Sequence, residues 1–279
     1  MISIRSSSLD DYPSCPRRFA ARWLLDAKHE LATTHRLRRT RPNIGAIVGT
    51  GFHKGVAYLL EQFKATGLQG SMRRIRAAQE TAIEEIKNLM REPVTTDTAT
   101  PTGVAAIATT FRLVERYHYD VRHEHEPHLI ERGLKVEFTT ACGTVHQITS
   151  TVDNYLINGV LEDTKSGVNK PAPFAQFGSY SMAIRANGLP LTGGKVRYGK
   201  RVALNKPQPS IETIPVDPMA FEKHALAIAR QAAGGLMRLL ASGDPDEFLA
   251  NPRDRLCGAK WCPAYGTTFC PLGAVMKGE

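Results

Sequence analysis

Apolar residues return every three or four positions through much of the first half of the chain, the period of a helix with one buried face. Over residues 71–91 they fall at Ile75, Ala78, Ala82, Ile86 and Leu89, which predicts an amphipathic helix. The same period predicts helices over 52–64, behind a glycine-rich turn at 45–51, and over 104–123. A further helical stretch over 7–25 opens on Ser7 and Ser8 as caps and is interrupted by Cys15-Pro16-Arg17-Arg18. Residues 95–102, rich in Thr and Pro, read as a loop.

After residue 130 the pattern changes. Segments 134–140, 145–153 and 158–165 are short, rich in β-branched residues and separated by Gly or Asn turns, so they predict strands. A helix is predicted over 173–187, two more strands over 195–204 and 211–216, and a long helix over 218–240. Three antiparallel-looking strands, a helix and a returning strand form an α/β core wrapped by the N-terminal helices. The expectation is one domain over 1–279: a mainly helical part to 130, an α/β core over 131–242, and a Cys-rich tail over 243–279.

Composition narrows the function only a little. The 279 residues are long enough for a substantial core, and 42% hydrophobic with 23% charged residues is ordinary for a globular protein. No apolar run is long enough to span a bilayer, and the first residues lack the basic-then-apolar layout of a secretory signal. A cytoplasmic protein with no membrane partner is expected. The formal net charge of +9 suits a polyanion such as nucleic acid, through release of its counterions, but serves solubility equally well.

The cysteines change the picture more. There are five, Cys15, Cys142, Cys257, Cys262 and Cys270, and an odd number without a secretory signal argues against a disulfide framework. Three crowd the tail as C-x4-C-x7-C, where metal or cluster ligation is the better reading. Cys142 stands apart and is expected to be a buried or half-buried thiol. Four thiolates suit either an iron–sulfur cluster or Zn²⁺; no histidine is interleaved among the last three, and prolines follow Cys15, Cys262 and Cys270.

The candidate chemistry is densest at Ser150-Thr-Val-Asp153 and Val160-Leu-Glu-Asp163-Thr-Lys165. Asp153 is expected to end one strand, and the next delivers Asp163 and Lys165 to one face because strand side chains alternate. Two carboxylates from adjacent strands suit a hard cation such as Mg²⁺ or Mn²⁺. A lysine two residues on can orient or deprotonate water, or meet charge developing on a phosphate. An isolated D-x-K pattern recurs by chance, on the polar edge of many hairpins. His53, at the start of a predicted helix, is either a surface or capping residue or a third ligand. Gln176 and Tyr180 share one helical face, as they would in any amphipathic helix with an exposed amide.

Together, His53, Asp153, Asp163 with Lys165, and Gln176 with Tyr180 resemble the RecB-like branch of the PD-(D/E)XK nucleases. The resemblance runs over residues 5–270 and implies a restriction-endonuclease-like fold, a mixed central sheet flanked by helices. It implies a Mg²⁺- or Mn²⁺-dependent DNA exonuclease working on single strands or free ends in recombination, repair, or phage or CRISPR DNA processing. His53, Asp153 and Asp163 would hold the metal, Lys165 would serve the water, and Gln176 and Tyr180 would contact DNA or brace the site. Glu137 falls where such proteins often carry a helper glutamate on the first core strand. Two positions depart from the pattern: Ser150 replaces a common glycine, and Glu162 adjoins Asp163 as a competing carboxylate. The opening Ser7-Ser-Leu-Asp-Asp-Tyr-Pro-Ser-Cys15-Pro-Arg-Arg-Phe and the three later cysteines resemble CRISPR-associated adaptation nucleases and AddB-type nuclease domains. There, four cysteines bind a [4Fe–4S] cluster that clasps the two ends of the domain; zinc is the alternative.

Arg17, Arg18, Arg22, residues 37–41, Lys195, Arg197, Lys200 and Arg201 are expected either on a solvated face or along a DNA backbone, with Tyr198 or Trp261 available to stack on bases. The chain shows no helicase motif, so a helicase or recombination partner would be a separate protein, and an oligomer is compatible with the resemblance. The competing reading is a catalytically silent DNA-binding or assembly module of the same fold.

Overall fold

In the computed structural model, which describes residues 1–68, 71–121, 126–170, 172–271 and 275, the chain opens with a short strand that its apolar pattern did not announce. This is β1 (Ser3–Arg5), followed by α1 (Ser6–Leu9), α2 (Pro16–Asp26) and α3 (Glu30–Thr34). The helix expected over 7–25 is therefore two. Pro16 lacks an amide hydrogen and occupies the first turn of α2, while Cys15 before it is extended at φ −158°.

Three long helices follow: α4 (Ile44–Thr66), α5 (Met72–Leu89) and α6 (Gly103–Asp120). Residues 122–123 of the helix expected over 104–123 lie outside the described residues. The glycine-rich stretch expected as a turn lies inside α4, whose first turn is capped by Asn43 Oδ1 accepting from Gly45 N at 2.7 Å. Its glycines serve packing. A Cβ on Gly51 would stand 2.6 Å from Ile86 of α5, and one on Gly55 would stand 2.5 Å from Val114 of α6. The three helices enclose their own apolar cluster, including Val48, Phe52, Ala82 and Leu113.

The strands are longer than predicted where they are central. They are β2 (Pro127–Thr139), β3 (Val145–Leu156) and β4 (Val160–Gly167), then α7 (Phe174–Ala186), β5 (Gly193–Lys200) and β6 (Glu212–Val216). A single 3-10 turn, Met219–Phe221, leads into α8 (Glu222–Ser242). The sheet is mixed: β2 runs antiparallel along β3 for nearly its whole length, β1 and β5 add parallel contacts, and β6 closes antiparallel to β5. Gln147 of β3 is matched with both Ser3 and Glu137, and Asn154 with both Ile130 and Glu162. Hence β1 and β4 share the edge of β3 that β2 leaves open, one beside each half of the strand. The apolar cluster of α1, α2, α8 and the tail packs on one side, and α7 packs through Phe177, Tyr180 and Ile184 on the sheet.

Several expectations about exposure are corrected. Cys142 is exposed in the turn joining β2 to β3, not buried. Tyr198 is buried with its hydroxyl donating to Gly167 O at 2.7 Å, so it offers no face to a base. Arg17, Arg18, Arg197 and Arg201 are buried and ion-paired rather than solvated. Arg36, Arg38, Arg39, Arg41 and Lys200 are exposed. Among the described residues no helix is long and apolar enough to cross a membrane.

Candidate active site

Five elements converge where β3 and β4 begin to pair. α4 contributes His53, β2 contributes Glu131, β3 contributes Asp153, β4 contributes Asp163 and Lys165, and α7 contributes Gln176 and Tyr180. Asp153 does not end its strand as expected, because β3 continues to Leu156. The pairs Asn154↔Glu162 and Tyr155↔Leu161 place Asp153 beside Asp163 across the two strands. The Thr164 amide donates to Asp153 Oδ2 at 2.8 Å, which fixes that carboxylate against the neighbouring strand.

His53 Nδ1 lies 3.2 Å from Asp153 Oδ2 and 3.9 Å from Glu131 Oε1. Among the described residues, His53, Glu131 and Asp153 form the one group of three metal-ligand side chains whose donor atoms lie within 4.8 Å of one another. Asp163 stands just behind it. That side chain is fully buried, its Oδ1 accepts from Lys165 Nζ at 2.9 Å, and its Oδ2 has no hydrogen-bond partner. A buried carboxylate oxygen left unpaired is costly unless something else is meant to meet it.

Alternation disposes of the competing carboxylate. Glu162 points to the opposite face, where Arg197 Nε donates to it at 3.1 Å and Asn154 Nδ2 at 2.7 Å. Glu137, expected as a helper, is exposed and sits opposite Gln147, well up the strand from Asp153. The glutamate of β2 that reaches the site is Glu131. It falls between the matched pairs Ile130↔Asn154 and Arg132↔Val152, in a left-handed backbone at φ +48°. Such a conformation costs a bulky residue roughly 1–3 kcal/mol and clusters at functional sites. Sequence reading had no signal for it, since nothing in the local pattern marks a kinked residue.

The electrostatics follow from burial and crowding. Burial pushes Asp163 up to about 6, Lys165 opposing and Asp153 adding to the shift. Burial also acts against the Asp153 anion, yet the charge and hydrogen bond of His53, with Lys165 and the Thr164 amide, hold it below the usual carboxylate range. His53 and Lys165 are each disfavoured as cations by burial, and their carboxylate neighbours overcome it, raising both. Burial first, then the Asp153 charge, raises Glu131.

Gln176 Nε2 donates to Tyr180 Oη at 2.5 Å, both side chains being buried. Burial, and then the charges of Asp163 and Asp153, keep the Tyr180 phenol protonated far up the pH scale. The helix carrying them is fixed by a residue the sequence reading passed over. Asp10, at the end of α1, accepts from the amides of Ala175 at 2.9 Å and Gln176 at 3.1 Å and so caps α7.

A second constellation lies apart. Cys15, at the start of α2, lines one narrow hollow with Cys257, Cys262 and Cys270, joined by Arg18 and Tyr265. The tail that brings the last three cysteines there is pinned from α2. Arg17 donates to Phe248 O at 2.8 Å and Phe269 O at 3.4 Å, and Arg18 donates to Asp254 Oδ1 at 2.8 Å. The tail's last residues, 272–274 and 276–279, lie outside the described residues.

A mixed sheet flanked by helices, with an acidic pair and a lysine on adjacent strands, defines a protein of the restriction-endonuclease-like class. The family model of the PD-(D/E)XK nuclease superfamily matches residues 5–270, and the chain belongs to that superfamily. No curated protein matches it. Among solved structures it is similar to the crystal structure of SSO0001 at 11% identity, with 76% of this chain and 84% of that one covered and a TM-score of 0.33, a likeness too distant to carry an argument.

Proposed function

We propose that this single nuclease domain is a metal-dependent exonuclease that hydrolyses single-stranded DNA or DNA with free ends. The observation that carries the reading is Asp163: buried, one oxygen held by Lys165, the other without a partner, beside the His53–Glu131–Asp153 group. Carboxylate oxygens with one imidazole suit Mg²⁺ or Mn²⁺. His53, Asp153 and Asp163 would hold the ion, as the superfamily pattern implies, and Glu131 adds a further oxygen. Bound there, such an ion supplies Lewis-acid stabilisation to charge building on the scissile phosphate. Lys165, beside both carboxylates, would orient or deprotonate the water or meet charge developing on the phosphate. Gln176 and Tyr180 brace the wall of the site beside it. The exposed Arg36, Arg38, Arg39 and Arg41 ahead of α4, and Lys54 next to His53, offer contacts to a DNA backbone.

The four cysteines are read as ligands of a [4Fe–4S] cluster, with zinc as the alternative.

The test is cleavage of end-labelled single- and double-stranded DNA by anaerobically purified protein, with Mg²⁺ or Mn²⁺ against EDTA, beside Asp163→Ala. Metal-dependent shortening from an end, lost in the variant, is the expected result. Folded protein that binds DNA without cutting it under any of these conditions would replace the nuclease with a silent binding module.

A further inference from the structure

Among the described residues Arg18 is the most deeply buried arginine, with 2% of its surface exposed, and the one cation lining the cysteine hollow. Its guanidinium is only partly used. Nη1 donates to Asp254 Oδ1 at 2.8 Å and Nη2 lies 3.7 Å from Asp11 Oδ1, whereas Nε is buried with no acceptor. Its neighbour Arg17 shows the contrast: Arg17 donates through Nε to Phe248 O at 2.8 Å and does not line the hollow.

Charge explains why an arginine would be left in this state. Four thiolates carry more negative charge than a zinc ion or an iron–sulfur core returns, so the loaded site is a buried net anion. Such an anion is costly unless a buried cation and hydrogen-bond donors accompany it. The other residues around the hollow, Ala250, Asn251, Pro252, Ala264 and Tyr265, bring no positive charge.

We propose that Arg18 is the charge partner of the metal group held by Cys15, Cys257, Cys262 and Cys270, its free Nε–H being the donor available to the ligand sulfurs. The inference rests on reading the four cysteines as ligands. It assigns Arg18 a role distinct from pinning the tail, which Arg17 shares. Outer partners of this kind alter metal affinity by roughly 10–100-fold. Asp254 enters with the opposite sign, because it draws on the same guanidinium.

The experiment uses the full chain, purified anaerobically, with iron and zinc measured and the rate of their loss to excess chelator followed by absorbance. Arg18→Met is expected to lose metal at least about tenfold faster than wild type, Arg18→Lys to restore most of the retention, and Arg17→Met, which loosens only the tail, to speed the loss much less than Arg18→Met does. Asp254→Asn, which frees positive charge, is expected to slow the loss; should Arg18→Met not fold, this variant decides alone. If the group is an iron–sulfur cluster, its reduction potential falls in Arg18→Met and rises in Asp254→Asn. Equal acceleration in Arg17→Met and Arg18→Met, or no change in Asp254→Asn, would overturn the charge role and leave only pinning. Wild-type protein holding neither iron nor zinc would instead remove the ligand reading itself.

Discussion

The carboxylate site and the cysteine hollow are both assembled from distant stretches of chain, yet they are held in opposite ways. The first is fixed by the ladder of a β-sheet, and its charges compensate one another: His53 with Asp153, Lys165 with Asp163. The second lies off the sheet, in a tail with little regular structure, and is fixed by arginines reaching across from α2. Burial raises the Cys262 thiol to about 11 and Asp163 to about 6, and in each case a cation opposes it, Arg18 beside the thiol and Lys165 beside the carboxylate. The difference teaches that the carboxylate site is organised by its sheet and its own charges, whereas the hollow, if its cysteines are ligands as proposed, would depend on the group they hold to become a settled piece of structure. Variants should therefore divide cleanly into those that change rate and those that change stability.

The sharpest division is expected from Lys165→Met. Cleavage should fall by on the order of 10²–10⁴, the usual contribution of a positioned proton donor or acceptor, with iron or zinc content unchanged. Turnover within tenfold of wild type would show that the ammonium has no part in the reaction. Cys262→Ala should do the reverse. Structural zinc sites contribute about 10–16 kcal/mol in small peptides, and here Arg17 and Arg18 keep part of the clasp closed without it. At about 2–4 °C per kcal/mol for chains of similar size, a fall of several kcal/mol lowers the thermal midpoint by about 10 °C or more. Molecules that remain folded should still cut DNA at close to the normal rate; a variant as stable as wild type but inactive would invert the comparison.

How far the sequence foretold each region follows from the same contrast. Strand alternation made Asp163 and Lys165 readable as one face, the family resemblance singled out His53, and β4 and α4 bring the three to one site. It failed where the backbone leaves its period. Glu131 reaches the site through a left-handed kink, and β1 is too short for its three residues to show a pattern. Asp10 works through two backbone amides of a helix 165 residues away, a contact that no local window contains. The glycines of α4 misled in the other direction: they read as a turn because glycine permits one, while their use is to let α5 and α6 approach. The arginines of α2 read as a solvated or DNA-facing surface, because charge pattern alone cannot tell a solvated guanidinium from one buried against Asp246 or Asp254.

Glu162 and Asp163 test the comparison at the scale of one peptide bond. Glu162→Gln leaves Arg197 buried without a full countercharge, and breaking such a pair costs about 3–5 kcal/mol. Urea unfolding should record that loss while the rate of cleavage per folded molecule stays near wild type. A variant that kept its stability and lost its activity would mean that Glu162, not Asp163, faces the metal, against the hydrogen bonds of Arg197 and Asn154.

The smallest effect belongs to Cys142, which shares only its residue type with the four cysteines of the hollow. It is exposed in the β2–β3 turn, and hydrogen bonds with Thr140 and Thr144 favour its thiolate, lowering it to about 7 from an ordinary 9.0. Because the thiolate is the reactive form, alkylation by iodoacetamide should quicken as pH rises through about 7 and level off above it. An unaided thiol would keep accelerating toward pH 9. Mass spectrometry of the native protein should find Cys142 modified first and Cys262 protected, with cleavage and metal content untouched. Thr140→Val combined with Thr144→Val should move the Cys142 profile upward in pH; a profile that did not move would show that the two hydroxyls do not hold the anion.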